Sequence, residues 1–188
     1  MSDRTPLARS EFGAPWGRWV TAMSLGCTVL LVGLALFEGY ALPRDLLGGW
    51  PWWLAVSLPV TILLGGALFV IRGYVLESGR LRVRRLLWST ELPLDSLRAA
   101  WAAPEAMSGS LRLFGNGGLF SLSGLYRNAR LGSYRAFAMD PRHAVVLEFA
   151  ERKVVVTPDS PAEFLRRLQL ERPQIRIGEP PQPPRGGA

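Results

Sequence analysis

The sequence predicts a membrane α-helical hairpin of two spans, followed by a mainly-β domain, a small barrel or sandwich closed by a C-terminal helix. Three observations predict it. Two stretches carry no charged residue: Trp19 to Phe37, nineteen residues, and Trp50 to Ile71, twenty-two residues. Each supplies the roughly 20 apolar residues a helix needs to cross about 30 Å of hydrocarbon. From Tyr74 onward the apolar runs give way to short alternating segments separated by turn residues, the cadence of strands. Near residue 160 the period changes again, to that of one amphipathic helix.

The order of parts follows directly. Residues 1–17 form an N-terminal segment and residues 18–72 the hairpin, with spans at about 19–37 and 50–71. A buried core helix is the alternative for either run, and a signal peptide for the first. Signal peptides have apolar regions of about 7–15 residues, shorter than this one. Ser24-Leu25-Gly26-Cys27 resembles a lipoprotein box poorly, because the apolar run continues past Cys27. Arg4, Arg9 and Arg18 precede the first span, while Arg72, Arg80, Arg82, Arg84 and Arg85 follow the second. The connection holds only Arg44, so the positive-inside bias places both termini in the cytoplasm of a multi-pass cell-membrane protein. Trp16, Trp19, Trp50, Trp52 and Trp53 stand where aromatic belts form. Gly26, Gly33, Gly65, Gly66 and Ala67 suggest close approach of the two helices. Neither span contains an ionisable residue, which argues for an anchor over a transporter or pump.

Residues 73–170 make the cytoplasmic domain. Tyr74-Val75-Leu76-Glu77, the turn Ser78-Gly79 and the alternating Arg80-Leu81-Arg82-Val83-Arg84 read as a hairpin. Further strands are expected at Leu97 to Ala102, Leu111 to Phe114, Gly132 to Met139, Ala144 to Phe149 and Lys153 to Thr157. Ser160, Pro161 and Glu163 have the spacing of a capped helix start with a capping box, and Phe164, Leu165 and Leu168 share one face. Residues 171–188, rich in proline and glycine, are expected to be a disordered tail.

Tyr74-Val75-Leu76, Gly79-Arg80-Leu81-Arg82-Val83, Leu92-Pro93-Leu94-Asp95-Ser96-Leu97, Gly115 to Gly118, Gly132-Ser133-Tyr134 and Val154-Val155-Val156-Thr157-Pro158 carry a resemblance. From Tyr74 to about Leu168 the chain resembles the bacterial pleckstrin-homology-like domains, which often follow two membrane spans. The resemblance implies a non-catalytic binding or scaffolding module. Phosphoinositide-binding eukaryotic members carry a longer basic first loop, which here shrinks to Ser78-Gly79.

Composition excludes several classes. One cysteine and one histidine, His143, allow neither a disulfide within the chain nor a multi-histidine or thiolate metal site. The net charge of +7 rests on scattered arginines without a nucleic-acid-binding motif, so no nucleic-acid partner is expected. Gly115-Asn116-Gly117 begins a dinucleotide fingerprint, but Phe120 replaces the third glycine, and Asn116-Gly117 reads instead as a tight turn. No carboxylate pair is forced together by its spacing. An enzyme is the remote alternative, and no cofactor, metal or catalytic residue is expected. The candidate contacts are Arg80, Arg82, Arg84 and Arg85 beside the bilayer, with Leu119, Phe120, Arg127 and Arg130 around the glycine-rich loop. They point to a membrane or cytoplasmic protein partner, or to anionic lipid headgroups sensed by an arginine strand and an apolar loop.

Overall fold

The computed structural model describes residues 9–41 and 49–178. The chain begins with a short strand, β1 (Ser10–Gly13), and then enters helix α1 (Arg18–Ala41). Helix α2 (Trp50–Ala67) brings it back. Ten strands follow: β2 (Ile71–Glu77), β3 (Arg80–Arg85), β4 (Ser89–Pro93), β5 (Leu97–Ala102), β6 (Leu111–Gly117), β7 (Leu122–Asn128), β8 (Gly132–Ala138), β9 (Val145–Phe149), β10 (Lys153–Val156) and β11 (Arg176–Ile177). Helix α3 (Pro161–Glu171) lies between the last two.

The strands make two sheets, ordered β1-β2-β3-β4 and β11-β5-β9-β10-β8-β7-β6. They form a sandwich and not the closed barrel offered as its alternative. In β3 the alternation sets the register: Leu81 and Val83 are buried while Arg80, Arg82 and Arg84 face solvent. Leu81 and Val83 share one core with Tyr74, Leu76, Phe137, Leu147, Val154 and Val156 of both sheets. The residues between them in the larger sheet, including Trp101, Tyr134, Val146 and Val155, face away and form a second cluster with Ala106. Ser78 and Gly79 have φ of 50° and 73°, the left-handed pair of a two-residue hairpin turn.

Four parts of the fold depart from the sequence reading, the first being strand β7 at Leu122–Asn128, where a loop was expected. The N-terminal segment joins the domain: β1 pairs with β2 antiparallel, and Phe12 packs edge-to-face on Phe164 at 5.2 Å. Nothing in so short a run around Phe12 marks it as a strand, because its partner lies beyond the entire hairpin. The tail begins later than expected, since Ile175 is buried and β11 pairs with β5, an apolar anchor within polar surroundings. Residues 179–188 lie outside the described residues. The second helix stops at Ala67, four residues short of the expected 71, because Ile71 is the first pairing residue of β2.

Two local expectations also fail. Ser160 makes no side-chain cap on α3, and Glu163 does not complete the capping box, being held by Arg166 and Arg167 at 2.7 and 3.0 Å instead. Added Cβ atoms at Gly26, Gly33 and Gly65 would meet nothing, so these glycines do not mediate helix contact. Gly66 serves the domain, where such a Cβ would lie 2.7 Å from Leu119.

A polar network ties the sheets together. The Tyr74 hydroxyl donates to the Phe137 carbonyl at 2.6 Å and accepts from the Thr157 amide at 3.1 Å. Thr157 Oγ1 in turn accepts from the Met139 amide at 2.9 Å. Removing the hydroxyl strands a buried donor, so Tyr74→Phe is expected to cost about 1–3 kcal/mol by chemical denaturation. Burial pushes the Tyr74 phenol up to about 12. In the unfolded chain it ionises near 10, so between roughly pH 10 and 12 the unfolded state holds fewer protons. Stability therefore falls as pH rises through that window. Tyr74→Phe, lacking the group, is expected to flatten the decline.

Candidate functional site

The junction between hairpin and sandwich concentrates the unusual chemistry. Helix α1 begins where the Gly17 amide donates to the Met139 carbonyl at 3.2 Å. Two turns into α1, Ser24 Oγ donates to the Gly118 carbonyl at 3.2 Å and accepts from the Phe120 amide at 2.8 Å. The β6–β7 turn thus climbs alongside the helix. A rise of 1.5 Å per residue puts Ser24 about 9 Å along it from Arg18. Asn116 organises this turn: its Oδ1 accepts from the Gly118 and Leu119 amides at 3.3 and 3.1 Å, and its Nδ2 donates to the Leu119 carbonyl. Asn116 and Gly117 are therefore the end of β6 and not the turn itself. The positive φ values fall at Gly118 (138°) and Phe120 (64°). The loop joins two antiparallel strands, so it lacks the strand-to-helix context that a phosphate loop requires.

Behind this turn lies a cavity of about 760 Å³ between the end of α2 and strands β6, β7 and β8. Ile62, Gly65 and Gly66 of α2, with Phe69 just beyond it, form one wall, and Phe114 and Leu125 of the sheet and Leu119 of the turn add apolar surface. Arg85, Arg112 and Arg135 also line it, and among the described residues no carboxylate does. Arg85 is only 8% exposed. Its guanidinium lies between the rings of Phe69, Trp88 and Phe137, 5.4–5.7 Å from their centroids. Nη2 reaches Ser123 Oγ at 3.4 Å, while Nε and Nη1 have no hydrogen-bond partner among the described residues. Burial, then repulsion from Arg135, lowers the Arg85 pKa from its ordinary value.

The structure separates the residues singled out from sequence. Arg80 and Arg82 pair with Glu91 at 3.0 and 2.8 Å, and Arg84 pairs with Glu11 at 3.3 Å. These three lie on the outer face of the small sheet, each paired with a carboxylate, though Glu91 serves two of them and Glu11 also holds Arg9, and Arg85 alone turns inward. Leu119 and Phe120 are half-buried against the hairpin, Phe120 meeting Trp16 edge-on at 6.5 Å. Arg127 is exposed, and Arg130 pairs with Glu105 at 3.3 Å, so neither joins the cavity. Of the other apolar residues after the glycines, Leu122 and Tyr126 are buried in the two core clusters, while Leu125 remains partly exposed beside the cavity.

Arg112 and Arg135 escaped notice in the sequence, since each reads as an ordinary outward residue of its strand. So did the exposed turn Leu86-Leu87-Trp88 after β3, whose Trp88 ring packs on Phe69 at 5.4 Å. An apolar triplet directly after a basic strand was the available signal. His143 sits in a short 3-10 turn, its Nδ1 3.3 Å from buried Asp140, which also holds Arg142 at 2.7 Å. Among the described residues no three of histidine, cysteine, aspartate and glutamate converge as a metal site.

A family model described as bacterial PH domain matches residues 72–171, just over half of the chain. The chain belongs to the bacterial PH domain family. A PH-like domain is a binding or scaffolding module. No curated protein and no solved structure matches the chain. In this PH domain the first hairpin turn is occupied internally. The Gly79 amide donates to Glu171 at 3.3 Å, and the Arg172 guanidinium packs against Gly79 while pairing with Asp95. A separate group of arginines, Arg85, Arg112 and Arg135, lies toward the opposite end of β3, in the cavity beside α2.

Proposed function

We propose that this bacterial PH protein is a membrane-anchored binding module, held against the inner leaflet by its hairpin and carrying no catalysis. The carrying observation is the union of the hairpin with the domain at both of its ends. Strand β1 enters the small sheet immediately before α1, and β2 leaves α2 for the same sheet. Both α1 and α2 are long and apolar enough to cross a membrane, and only 11% of each span is buried within the protein. Leu25, Val29, Leu30, Leu36, Leu54 and Leu64 are among the apolar side chains left facing outward, a surface that lipid would cover. Because β1 and the sandwich share one side of the hairpin, the arginine bias assigns that side to the cytoplasm.

The expected results are specific. The full chain should remain in the membrane pellet after an alkaline carbonate wash. Protease added outside sealed cells should leave residues 71–177 intact, and lysis should expose them. Release by carbonate, or digestion from outside, would overturn the reading.

A further inference from the structure

We infer that the cavity between α2 and strands β6–β8 binds one anionic glycerolipid, its phosphate held by Arg85, Arg112 and Arg135 and its acyl chains lying along α2. This deepens the membrane-anchored reading and rests on it. The chemistry of the walls names the ligand class. A volume of about 760 Å³ lies within the usual range for small-molecule sites, about 300–1,000 Å³. Three guanidiniums line it without a carboxylate among the described residues, whereas each arginine on the outer face of β3 pairs with Glu91 or Glu11.

A guanidinium buried as deeply as Arg85 calls for compensation by an opposite charge and hydrogen-bond acceptors. The aromatic rings around it supply part, and Ser123 one long contact, but Nε and Nη1 find no acceptor among the described residues. A phosphate presents several acceptor oxygens and suits the planar guanidinium fork. An apolar anion, and not a hydrophilic one, fits the remainder. Ile62, Gly65 and Phe69 continue the outward apolar surface of α2 into the cavity, so acyl chains need not leave the hydrocarbon for the headgroup to reach the arginines. Gly65 presents no side chain that would narrow this path. The occupant is accordingly a lipid from the surrounding leaflet, and not a second copy of the chain or a peptide.

The test uses the full chain in nanodiscs of phosphatidylcholine with or without phosphatidylglycerol, followed by native mass spectrometry after transfer to detergent. One phosphatidylglycerol per chain should survive transfer, with phosphatidylcholine absent. Arg85→Met is expected to weaken retention on the order of tenfold, as expected for a lost charge-assisted contact. Arg112→Gln/Arg135→Gln, which alters exposed side chains, guards against a folding defect in the first variant and should show the same loss. Arg80→Gln/Arg82→Gln should retain the lipid as well as the original chain does. No retained lipid, equal retention by the cavity variants, or loss with the β3 outer-face variant would overturn the inference. So would equal competition by inorganic phosphate, which would make the site one for a free anion, or a peptide found in the cavity. A chain that resists carbonate but holds no phosphatidylglycerol would leave the anchor standing and remove only the lipid site.

Discussion

Phe164→Ala is expected to destabilise the sandwich by about 3–5 kcal/mol, the cost of deleting a large ring from a packed core. Total stabilities run to about 5–15 kcal/mol, so the loss is a large share of what holds the domain together. Phe164 is fully buried on α3 beside Leu165 and Leu168, and its ring meets Phe12 of β1. The variant should therefore release two elements, α3 and the N-terminal strand. Chemical denaturation followed by circular dichroism reads the first effect. Faster hydrogen exchange at residues 10–13 reads the second. Phe164→Leu should recover most of the loss, since a smaller change in volume leaves a smaller cavity. A Phe164→Ala chain as stable as the original would show that α3 does not close the core.

Gly115→Val carries the next largest effect. Gly115 has φ of 107°, a conformation that disfavours any side chain. Its cross-strand partner is Gly124, and the two backbones approach so closely that an added Cβ at 115 would collide with the Ser123 carbonyl and lie 2.7 Å from Gly124 Cα. Those atoms are backbone, so no rotamer relieves the clash. The cost should exceed the roughly 1–3 kcal/mol of ordinary overpacking. Separation of β6 from β7 would also pull the turn from Ser24. The expected signature is proteolysis at residues 118–121, with a change in the emission of Trp16 and Trp19. Gly26→Val, whose new side chain would meet nothing, should behave as the unaltered chain does.

The proposed lipid site and these two positions depend on the same junction. If Gly115→Val dislodges β6, the cavity loses the wall that carries Arg112 and Phe114, so lipid retention should fall with it. Gly118 reinforces the coupling, since an added Cβ there would lie 3.5 Å from Met23 of α1.

Much of the architecture was legible because it is encoded locally. Uncharged length alone marks α1 and α2, strict alternation marks β3, and Ser78-Gly79 marks the turn that begins it. The apolar face of α3 is likewise visible, because Phe164, Leu165 and Leu168 recur at helical spacing. Where the sequence reading failed, the deciding partner was distant. Phe12 looks like one aromatic in a polar leader until β2 arrives beyond the hairpin. Asn116 resembles a turn residue because its neighbours are glycines, yet it acts as the side-chain brace of the turn that follows.

Local pattern thus determined the three helices and most of the strands, but not β1, β7 or β11, because periodicity and hydropathy need only neighbours in the chain. Only the tertiary structure decided which arginines meet a carboxylate and which do not. Arg84 and Arg85 are adjacent, but the pleat sends one outward to Glu11 and the other inward to Phe137 and Ser123. That difference depends on atoms contributed by β1, β7 and β8, and no window of sequence contains them all.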